Sequence, residues 1–450
     1  MDYGGDVVGK YDDIIKKVNA QYKGKYAAVA SDVTAFKMER IPTGILAVDA
    51  ITYGGIPKGR ISIFWGEWSA GKTFTSFKTV ARTQRTCKKC LSFMAHEASE
   101  KNIVDIATGE VLLCGAAAVE AAEKVDRLDE LTEMKGALGD GEELSEDDAR
   151  ELKSLRGWHT KSPLKDKEIQ VTEEKRLLCP RCGNNESLTA VWTAIEDFEP
   201  DFARMCGVDL DNLLVVKSEY AEQAIDISAD VLRSGQCDLL VIDSVAMLTP
   251  AKEIEESAEK WQQGLMARLM NKALRRWASG QTVVEIESET GSKPTLLLIN
   301  QVRDKIGVMY GDPSTMPGGK GQRFANSLVL RFRGGKKTKL EDTKETVNQL
   351  VHVKVDKSKV CPPDENADFV IWLREHQGNI PGTTSEPKIV MESALKEGII
   401  DRQKSGYEFA GQKFTSQKAI LALLTEDEML LDSTRMQIIH NMNARRLRHA

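Results

Sequence analysis

The chain has 450 residues, and its 62 Lys and Arg against 68 Asp and Glu give a formal net charge of −6 at pH 7. Hydrophobic residues make up 41% and charged residues 29% of the chain, which excludes a disordered or collagen-like protein. The length predicts about three domains, and the longest apolar run, residues 111–119, is far shorter than the roughly 20 residues of a membrane-spanning helix.

Two further features bear on the cellular compartment. The first residues contain no basic segment followed by an apolar one, so we expect no secretory signal. The eight cysteines are sparse for this length and do not indicate a disulfide framework. In a reducing compartment, metal binding or burial explains them better. We therefore expect a cytoplasmic protein.

The first elements of the chain are a helix, a turn, a strand and a second helix. Residues 11–20 repeat apolar side chains at helical spacing, which predicts a short amphipathic helix. A glycine-rich turn over residues 51–60 precedes residues 61–66, whose β-branched and aromatic content predicts a strand. Residues 72–86 are predicted to form the second helix.

Residues 87–182 differ in character from the sequence around them. They begin and end with pairs of cysteines, and between Glu120 and Lys153 they contain 13 acidic and 5 basic residues. We interpret this segment as an insertion. Solvated surface charge is the simplest explanation of its acidic part, and repelling DNA or contacting a partner is the alternative.

Beyond the insertion, strand and helix patterns alternate. This alternation predicts an α/β fold with a mostly parallel sheet covered by helices. From residue 385 onward the chain is α-rich, with a hairpin pattern at 407–414. The strands are predicted at 189–195, 237–244 and 294–301, and a long helix near 259–279.

The end of the first strand matches the phosphate-binding pattern G-x-x-x-x-G-K-[ST]. A predicted strand precedes the match and a predicted helix follows it, as in a P-loop. The glycines let backbone N–H groups point at phosphate oxygens, while the lysine reaches the β- and γ-phosphates and the threonine hydroxyl binds Mg²⁺. A chance glycine loop is the alternative. The matching residues are Gly66, Glu67, Trp68, Ser69, Ala70, Gly71, Lys72 and Thr73.

A second apolar strand, residues 239–243, ends in Asp243. An acidic residue at the end of such a strand is expected to coordinate Mg²⁺ in a P-loop protein. A helix-capping role is the alternative. The P-loop in the same chain favours the metal role.

These motifs resemble those of the RecA family of recombinases, and the resemblance covers most of the chain. Residues 41–73 resemble the start of the family's ATPase core, 237–250 its second nucleotide motif, and 296–327 its sensor strand and second DNA-binding loop. Residues 392–424 resemble its small C-terminal domain. The basic C-terminus differs from the acidic tail common in bacterial members. This difference favours a bacteriophage-type member, which would work in the host cytoplasm.

The predicted fold is therefore α/β. It has a P-loop NTPase, RecA-like core with a mostly parallel sheet, an N-terminal oligomerisation helix, a Cys-bounded insertion and a small α+β C-terminal domain. The family core lacks the insertion, so the resemblance implies nothing about its purpose. The expected parts are an N-terminal segment 1–40, a core of 41–86 and 183–384, a zinc-binding and acidic insertion 87–182, and a C-terminal domain with a basic tail, 385–450.

The resemblance implies roles for residues outside the P-loop. Gln301 would sense the γ-phosphate and pass that signal to the loop that follows it. Lys357 and Lys359 would stabilise charge across the subunit interface, as an arginine finger does; lysines on an exposed strand edge are the alternative. Phe202 would stack on adenine, with a core position as the alternative. The helix 11–20 would dock on the adjacent protomer and build a filament.

The resemblance also implies a glutamate general base at the end of the strand that follows the P-loop helix. That strand is 191–195 here, and an ungapped alignment places Ile195 at the position. Because a hydrophobic side chain cannot polarise water, we assign the base to Glu196. Glu97 and Asp197 are the alternatives.

The loop 303–323 corresponds to the family's second DNA-binding loop, and the first lies near 251–264. Basic side chains neutralise phosphates and glycines let a loop order on its ligand, while Met and Tyr side chains can stack on bases. Two arginines seven residues apart share one face of the following helix, with surface salt bridges as the alternative. The predicted DNA-binding residues are Arg268, Arg275, Arg303, Lys305, Met309, Tyr310, Lys320 and Arg323.

The cysteines at the ends of the insertion form two C-x-x-C pairs, Cys87 with Cys90 and Cys179 with Cys182. Because the two ends of an insertion meet in space, four thiolates could hold a tetrahedral Zn²⁺, although 88 residues separate the pairs. Free buried cysteines or a redox pair are the alternatives. The other four cysteines are interpreted as core or incidental.

We therefore predict an ATP-dependent DNA recombinase that polymerises on single-stranded DNA and promotes homologous pairing and strand exchange. Its expected cofactors are ATP, Mg²⁺ and a structural Zn²⁺. Its expected partners are single-stranded and double-stranded DNA and further copies of itself, with recombination mediators or a single-strand-binding protein as additional candidates and no membrane. The alternatives are a RecA-like hexameric helicase and a weakly hydrolysing, DNA-binding regulatory filament.

Overall fold

The computed structural model describes residues 12–22, 38–94, 96–108, 111–138, 143–255, 264–287, 293–304, 314–319 and 321–448. The chain divides into two compact units. The core unit comprises Met1–Phe93 and Ser187–Ala450, and the inserted unit comprises Met94–Glu186. None of the described helices is long and apolar enough to cross a membrane.

The described helices and strands are numbered in chain order. The helices are α1 Asp12–Tyr22, α2 Leu46–Ile51, α3 Lys72–Gln84, α4 Gly115–Ala137, α5 Glu146–His159, α6 Pro200–Met205, α7 Ala221–Arg233, α8 Ala251–Glu255, α9 Leu265–Glu287, α10 Gly321–Ala325, α11 Glu386–Lys396, α12 Gln417–Glu426 and α13 Glu428–Arg448. The strands are β1 Arg40–Ile41, β2 Ile56–Pro57, β3 Ile61–Gly66, β4 His96–Asp105, β5 Val111–Cys114, β6 Ile169–Leu178, β7 Ala190–Ala194, β8 Leu213–Lys217, β9 Leu239–Asp243, β10 Thr295–Gln301, β11 Arg303–Asp304, β12 Ser314–Thr315, β13 Leu328–Lys339, β14 Thr346–Ser358, β15 Asn366–Trp372, β16 Asp401–Gln403, β17 Gly406–Phe409 and β18 Gln412–Phe414.

An eight-stranded sheet forms the centre of the core unit, in the order β15-β14-β13-β3-β10-β9-β7-β8. The pairs from β13 to β8 in this order are all parallel. The β13–β14 and β14–β15 pairs are antiparallel. The mostly parallel sheet predicted from the alternating pattern is confirmed.

Both faces of the parallel strands are buried, which explains why these segments are continuous apolar runs. In β3, Phe64 packs on one face with Phe77 and Trp192, whereas Ile63 and Trp65 pack on the other. The first cluster includes residues of α2 and α3, and the second includes residues of α7 and α9. Helices therefore cover both faces of the sheet.

The predicted strand 61–66 and helix 72–86 agree with the observed elements to within a few residues, whereas the long helix extends further than predicted. The strand predicted at 61–66 is β3, and the helix predicted at 72–86 ends at Gln84. The long helix predicted near 259–279 is α9, which continues to Glu287. Residues 256–263, which include the predicted start of that helix, lie outside the described residues.

The C-terminal helices and the β16-β17-β18 sheet share a separate hydrophobic cluster. Two buried ion pairs also connect α13 with helices of the ATPase core. Asp432 pairs with Arg82 of α3 at 2.7 Å, and Arg435 pairs with Asp49 of α2 at 2.8 Å. Because none of these four side chains is more than 12% exposed, the pairs are shielded from solvent.

The basic C-terminus, expected as a tail, is helical through Arg448. Burial of Ile438 and Ile439, which are 1% and 4% exposed, explains why the helix continues this far. Arg446 donates to the carbonyl oxygen of Ala50 at 2.7 Å and pairs with Glu365 at 3.2 Å. This arginine contributes to packing within the core unit.

The inserted unit combines an antiparallel sheet, β5-β4-β6, with helices α4 and α5. Ala118, Ala121 and Ala122 pack with Ile103 of β4, so the alanine-rich sequence allows α4 to approach the sheet closely. The acidic residues of this segment lie largely on the two helices, where Arg127 pairs with several of them.

Candidate functional site

Four parallel strands of the core sheet end at the same edge. Gln301 of β10 is level with Gly66 at the end of β3, and Ala194 of β7 is level with Asp243 at the end of β9. The carboxyl ends of parallel strands are where open α/β sheets bind ligands. This edge is therefore the candidate nucleotide site.

The phosphate-binding loop, residues 66–73, turns tightly from β3 into α3. Gly66 has a φ of +148°, and a Cβ atom there would lie 2.0 Å from the carbonyl oxygen of Phe332, so only glycine fits. Gln349 of β14 donates from Nε2 to the carbonyl oxygen of Ser69 at 3.1 Å. The loop is thereby fixed in front of the N-terminus of α3, a position that favours anions.

Lys72 is held inside this loop. Its Nζ donates to the carbonyl oxygen of Gly66 at 3.1 Å and to that of Glu67, and only 6% of the residue is exposed. Burial lowers the pKa of Lys72, and the nearby carboxylate of Asp243 opposes that shift. A phosphate group could replace the two carbonyl oxygens as the acceptor of this charge-assisted bond.

Thr73 and Asp243 are in direct contact. The Thr73 hydroxyl donates to Asp243 Oδ2 at 3.0 Å. Burial, with the charge of Glu196 nearby, raises the pKa of Asp243 to about 7. A hydroxyl and a carboxylate this close are oxygen ligands of the type that Mg²⁺ prefers beside phosphates, so the pair fits the predicted cation.

Glu196 lies at the same edge, in contact with Gln301 and with Ser244, the residue that follows Asp243. Its Oε1 accepts from Gln301 Nε2 at 2.6 Å and from the Ser244 hydroxyl. The N–H groups of Ile195 and Glu196 donate to the carbonyl oxygen of Asp243, at 2.7 and 3.0 Å. Hydrogen bonds to the carboxylate and from the backbone N–H therefore both fix the position of Glu196.

The other residues considered for the general base have different surroundings. Ile195 packs against the hydrophobic cluster of α7 and α9, and Asp197 is exposed. Glu97 is part of β4 in the inserted unit, where it pairs with Leu177 of β6. The arrangement favours Glu196, and its catalytic role stays a prediction.

The two aromatic residues predicted near the nucleotide differ in their surroundings. The Phe202 ring centroid lies 6.4 Å from that of Phe74 and 5.9 Å from that of Phe77, so Phe202 has the core contacts of the alternative interpretation. Trp68, in the phosphate-binding loop, is 81% exposed. Stacking of Phe202 on adenine stays a prediction.

Lys357 and Lys359 lie away from this chain's own phosphate-binding loop. Lys357 is level with Val329 of β13, whereas Phe332 of the same strand is level with Gly66. At about 3.3 Å per residue, this places Lys357 roughly 10 Å along the sheet from Gly66. Its Nζ donates to the carbonyl oxygen of Asn326 at 3.2 Å, and Lys359 donates to the carbonyl oxygen of Phe324.

The predicted DNA-binding residues are described only in part. Arg268 and Arg275 are exposed on α9, and Arg303 is exposed in β11, where it pairs with Thr315 of β12. Arg323 lies in α10. Outside the described residues lie Lys305, Met309, Tyr310 and Lys320.

The four cysteines at the ends of the insertion come together. The two pairs form the same turn: the N–H of Leu91 donates to the carbonyl oxygen of Cys87 at 2.9 Å, and that of Gly183 to Cys179 at 2.8 Å. Leu91 and Gly183 both have positive φ, +58° and +68°. Four sulfur atoms lie within 4.8 Å of one another, those of Cys87, Cys90, Cys179 and Cys182.

Among the other cysteines whose side chains the structure describes, none joins this cluster. Cys206 and Cys237 are buried in the core unit, and burial raises the pKa of the Cys206 thiol to about 12. Cys361 is half-buried, and burial raises its pKa as well. These thiols are protonated at neutral pH, as expected of core cysteines.

Sequence reasoning missed two residues of the site. Ser244 donates to Glu196, and its position directly after Asp243 could have indicated a role at the same strand end. Gln349 fixes the phosphate-binding loop from a strand 280 residues later in the chain. No local pattern in the sequence marks that contact.

Comparison with known proteins places these features in one family. Residues 10–112 and 178–376 match the family model of the RecA N-terminal domain. The chain is 37% identical to Protein RecA of Chlorobaculum tepidum over 255 residues, which cover 56% of this chain and 69% of that protein.

Two further relatives give similar values. Identity to Protein RecA of Heliobacterium modesticaldum is 39% over 215 residues, covering 48% of this chain and 57% of that protein. Identity to Protein RecA of Clostridium acetobutylicum is 40% over 212 residues, covering 47% and 55%. The family match is interrupted between residues 112 and 178, inside the inserted unit. The P-loop, the parallel sheet and the extent of this match show that the chain belongs to the RecA family of recombinases.

Proposed function

We propose that this protein is an ATP-dependent DNA recombinase that forms filaments on single-stranded DNA and promotes homologous pairing and strand exchange. One observation carries the proposal: the hydrogen bond between Glu196 and Gln301, beside the Thr73–Asp243 pair. It joins the nucleotide edge to the strand that leads into the predicted DNA loop. Membership of the RecA family supports the same function.

The residues at the edge of the sheet would each have a different role in ATP hydrolysis. Lys72 and the backbone of its loop would bind the phosphates, and Thr73 and Asp243 would hold Mg²⁺, which neutralises phosphate charge. Glu196 would accept a proton from the attacking water. The bond from the Ser244 hydroxyl does not involve the sensor, so it would keep the carboxylate of Glu196 oriented when water attacks.

A second copy of the chain would complete the site. Lys357 and Lys359 lie toward the other edge of the sheet from Gly66, which supports their action on the nucleotide of a neighbouring protomer. In helix α1, Ile14 is 60% exposed and available to dock on that neighbour. A head-to-tail contact of this kind builds an open helical filament.

The DNA strand would lie along α9 and the loop 303–323. The exposed guanidinium groups of Arg268, Arg275 and Arg303 supply positive charge for its phosphates. Because phosphate contacts release counterions, DNA binding should weaken as salt rises.

Electron microscopy with single-stranded DNA and a non-hydrolysable ATP analogue tests this proposal. We expect helical filaments. The relatives reported above are RecA proteins, which gives the hexameric helicase alternative no support; closed rings would revive it. DNA-stimulated ATPase activity separates a recombinase from a regulatory filament, which would barely hydrolyse ATP even with DNA present.

We further propose that the four clustered cysteines bind a structural Zn²⁺. Tetrahedral thiolate ligation with Zn–S bonds of about 2.3 Å requires sulfur atoms about 3.8 Å apart, and the four sulfur atoms lie within 4.8 Å of one another. The matching turns at Leu91 and Gly183 present both pairs in the same way. Such a site would fix the two ends of the insertion.

Metal analysis of the purified protein tests the zinc proposal. We expect one Zn²⁺ per chain in the wild type and in a Cys206→Ala control, whose cysteine is buried elsewhere. Cys179→Ser should lose the metal. Equal zinc contents in the two variants would contradict the assignment.

We also propose a cellular location and further partners for this activity. We expect it in the cytoplasm, which for a bacteriophage-type member is the host cytoplasm. Recombination mediators and a single-strand-binding protein are further proposed partners, because any filament on single-stranded DNA competes with other proteins for the strand.

A further inference from the structure

We infer that Gln322 is a positioning residue that couples the DNA loop to the γ-phosphate sensor through Asn300. The inference rests on the proposed function, because it takes the loop 303–323 to bind DNA and Gln301 to respond to nucleotide. It assigns their coupling to the side-chain amides of Asn300 and Gln322, two residues to which neither the sequence analysis nor the description of the site gave a role.

The side chains of Asn300 and Gln322 bond to each other at the base of the loop. Asn300 Nδ2 donates to Gln322 Oε1 at 3.1 Å, although 22 positions separate the residues in the chain. Both amides share one acceptor, the carbonyl oxygen of Pro317, at 3.2 Å from Asn300 Nδ2 and 2.6 Å from Gln322 Nε2. Both residues are 0% exposed. We call this arrangement the amide clasp.

The amide clasp continues directly into the catalytic edge. Asn300 Oδ1 accepts from the N–H of Gln301 at 2.9 Å, and the side chain of Gln301 donates to Glu196. A continuous series of hydrogen bonds therefore leads from the proposed general base to the closing end of the DNA loop. If Gln301 moved toward a γ-phosphate, its N–H would pull on Asn300 Oδ1, which accepts from it. This movement would strain the clasp.

The closing end of the loop also lies tightly against α9. A Cβ atom on Gly321 would lie 1.8 Å from Asn271 Oδ1, and one on Gly318 would lie 3.0 Å from Met270 Cγ. Met270 belongs to the same helix as Arg268, one of the proposed DNA contacts. A shift of the clasp would therefore displace helix α9 as well as the loop.

The chemistry of the clasp indicates positioning rather than packing alone. An apolar pair of the same size would fill this space without the cost of removing two amides from water. Two paired amides instead fix one relative position of strand β10 and the end of the loop, since each amide is satisfied only in that position. A coupling element requires such a discrete arrangement that both sites can bias.

Gln322→Met tests this inference, with Gln281→Met as a matched control. Gln281 is also buried, at 5% exposed, and its Nε2 donates to a proline carbonyl oxygen, that of Pro294, at 2.7 Å. Gln281 bonds to Pro294 and not to the sensor strand end, so both variants lose one buried glutamine while only Gln322→Met loses the clasp. The readout is the ratio of ATPase rates with and without single-stranded DNA, together with the melting temperature.

We expect the DNA-stimulation ratio of Gln322→Met to fall at least about fivefold below that of Gln281→Met, the lower range of allosteric coupling. The rate without DNA should be unchanged. Equal ratios in the two variants would overturn the inference, and so would a loss of basal and stimulated rates by the same factor, which a purely structural role predicts.

A double variant covers the case in which Gln322→Met fails to fold. With Asn300→Leu added, both side-chain amides of the clasp are removed together, which costs less than removing one of two partners, and the N–H of Gln301 loses its side-chain acceptor as well. The stimulation ratio should be as low as in the single variant, because the two changes break the same contact. A ratio equal to that of Gln281→Met would overturn the inference. Absence of DNA stimulation in the wild type would instead contradict the proposed function.

Discussion

Gln301 Nε2 lies 2.6 Å from Glu196 Oε1, so the proposed sensor and the proposed general base form one hydrogen-bonded pair. The two residues come from neighbouring regions of the sheet edge but lie 105 positions apart in the chain. A group that binds Gln301 competes with this bond. In the proposed function, this single contact would link nucleotide binding to the orientation of the Glu196 carboxylate.

Glu196→Gln should lower the rate of ATP hydrolysis by about 100-fold or more, because a carboxamide cannot accept the proton of water. ATP binding should be retained, since Lys72 and its loop are unchanged. Steady-state ATPase assays with single-stranded DNA and a fluorescent nucleotide titration measure the two effects. The control is Asp197→Asn, next in the chain and exposed. Loss of hydrolysis in the control but not in Glu196→Gln would show that the base is misassigned.

The proposed action of Lys357 and Lys359 across protomers predicts complementation between two inactive proteins. A Lys357→Ala, Lys359→Ala variant keeps its phosphate-binding loop, and Lys72→Ala keeps the two lysines. An equimolar mixture should form complete sites at about a quarter of randomly formed interfaces. ATPase assays of each variant and of the mixture measure this recovery.

The control for this mixture is Lys354→Ala on the same strand. Lys354 pairs with Asp364 at 2.7 Å within its own chain, so this variant should keep full activity alone. If the mixture of the two inactive proteins stays inactive although both assemble on DNA, the lysines act within their own protomer.

The buried pair of Asp432 and Arg82 should matter far more for stability than a nearby exposed pair. Asp432→Asn leaves the buried guanidinium without its counter-charge and should lower the free energy of unfolding by about 3–5 kcal/mol. Glu428, also on α13, pairs with Arg85, the residue that directly follows α3. The Glu428 side chain is 53% exposed. Glu428→Gln should cost less than about 1 kcal/mol. Urea denaturation measures both, and similar losses would contradict the account.

The raised pKa of Asp243 predicts a pH dependence of stability. The pKa of Asp243 is about 7 in the folded protein, compared with an ordinary value of 3.8 for an aspartate. The folded state therefore holds a proton that the unfolded chain has already lost, so the free energy of unfolding should fall as pH rises from about 4 to about 7 and then level off.

Asp243→Asn should reduce that slope, and the difference between the variant and the wild type isolates the contribution of this carboxyl group. Urea denaturation at several pH values between about 5 and about 8, with a chelator present, measures it. Identical slopes would show that the environment of Asp243 does not disfavour its charge.

Local patterns in the sequence were sufficient to predict the P-loop, the position of Asp243 at the end of an apolar strand, and the parallel sheet. Each of these features depends on residues that lie close together in the chain. The paired cysteines could be predicted at long range, since each C-x-x-C pair carries its own turn. The contact between Arg435 and Asp49 spans 386 positions, and the amide clasp joins residues of ordinary composition. Such contacts depend on how elements pack, and no spacing rule marks them in a single sequence.

The most direct test of the central claim is the affinity of the protein for single-stranded DNA with ATP and with ADP. Fluorescence anisotropy of a labelled oligonucleotide, at one fixed salt concentration, measures both values. Because the proposed sensor Gln301 bonds to Glu196 and leads into the proposed DNA loop, we expect tight, cooperative binding with ATP and at least about fivefold weaker binding with ADP. Equal affinities and equal assembly with the two nucleotides would contradict it.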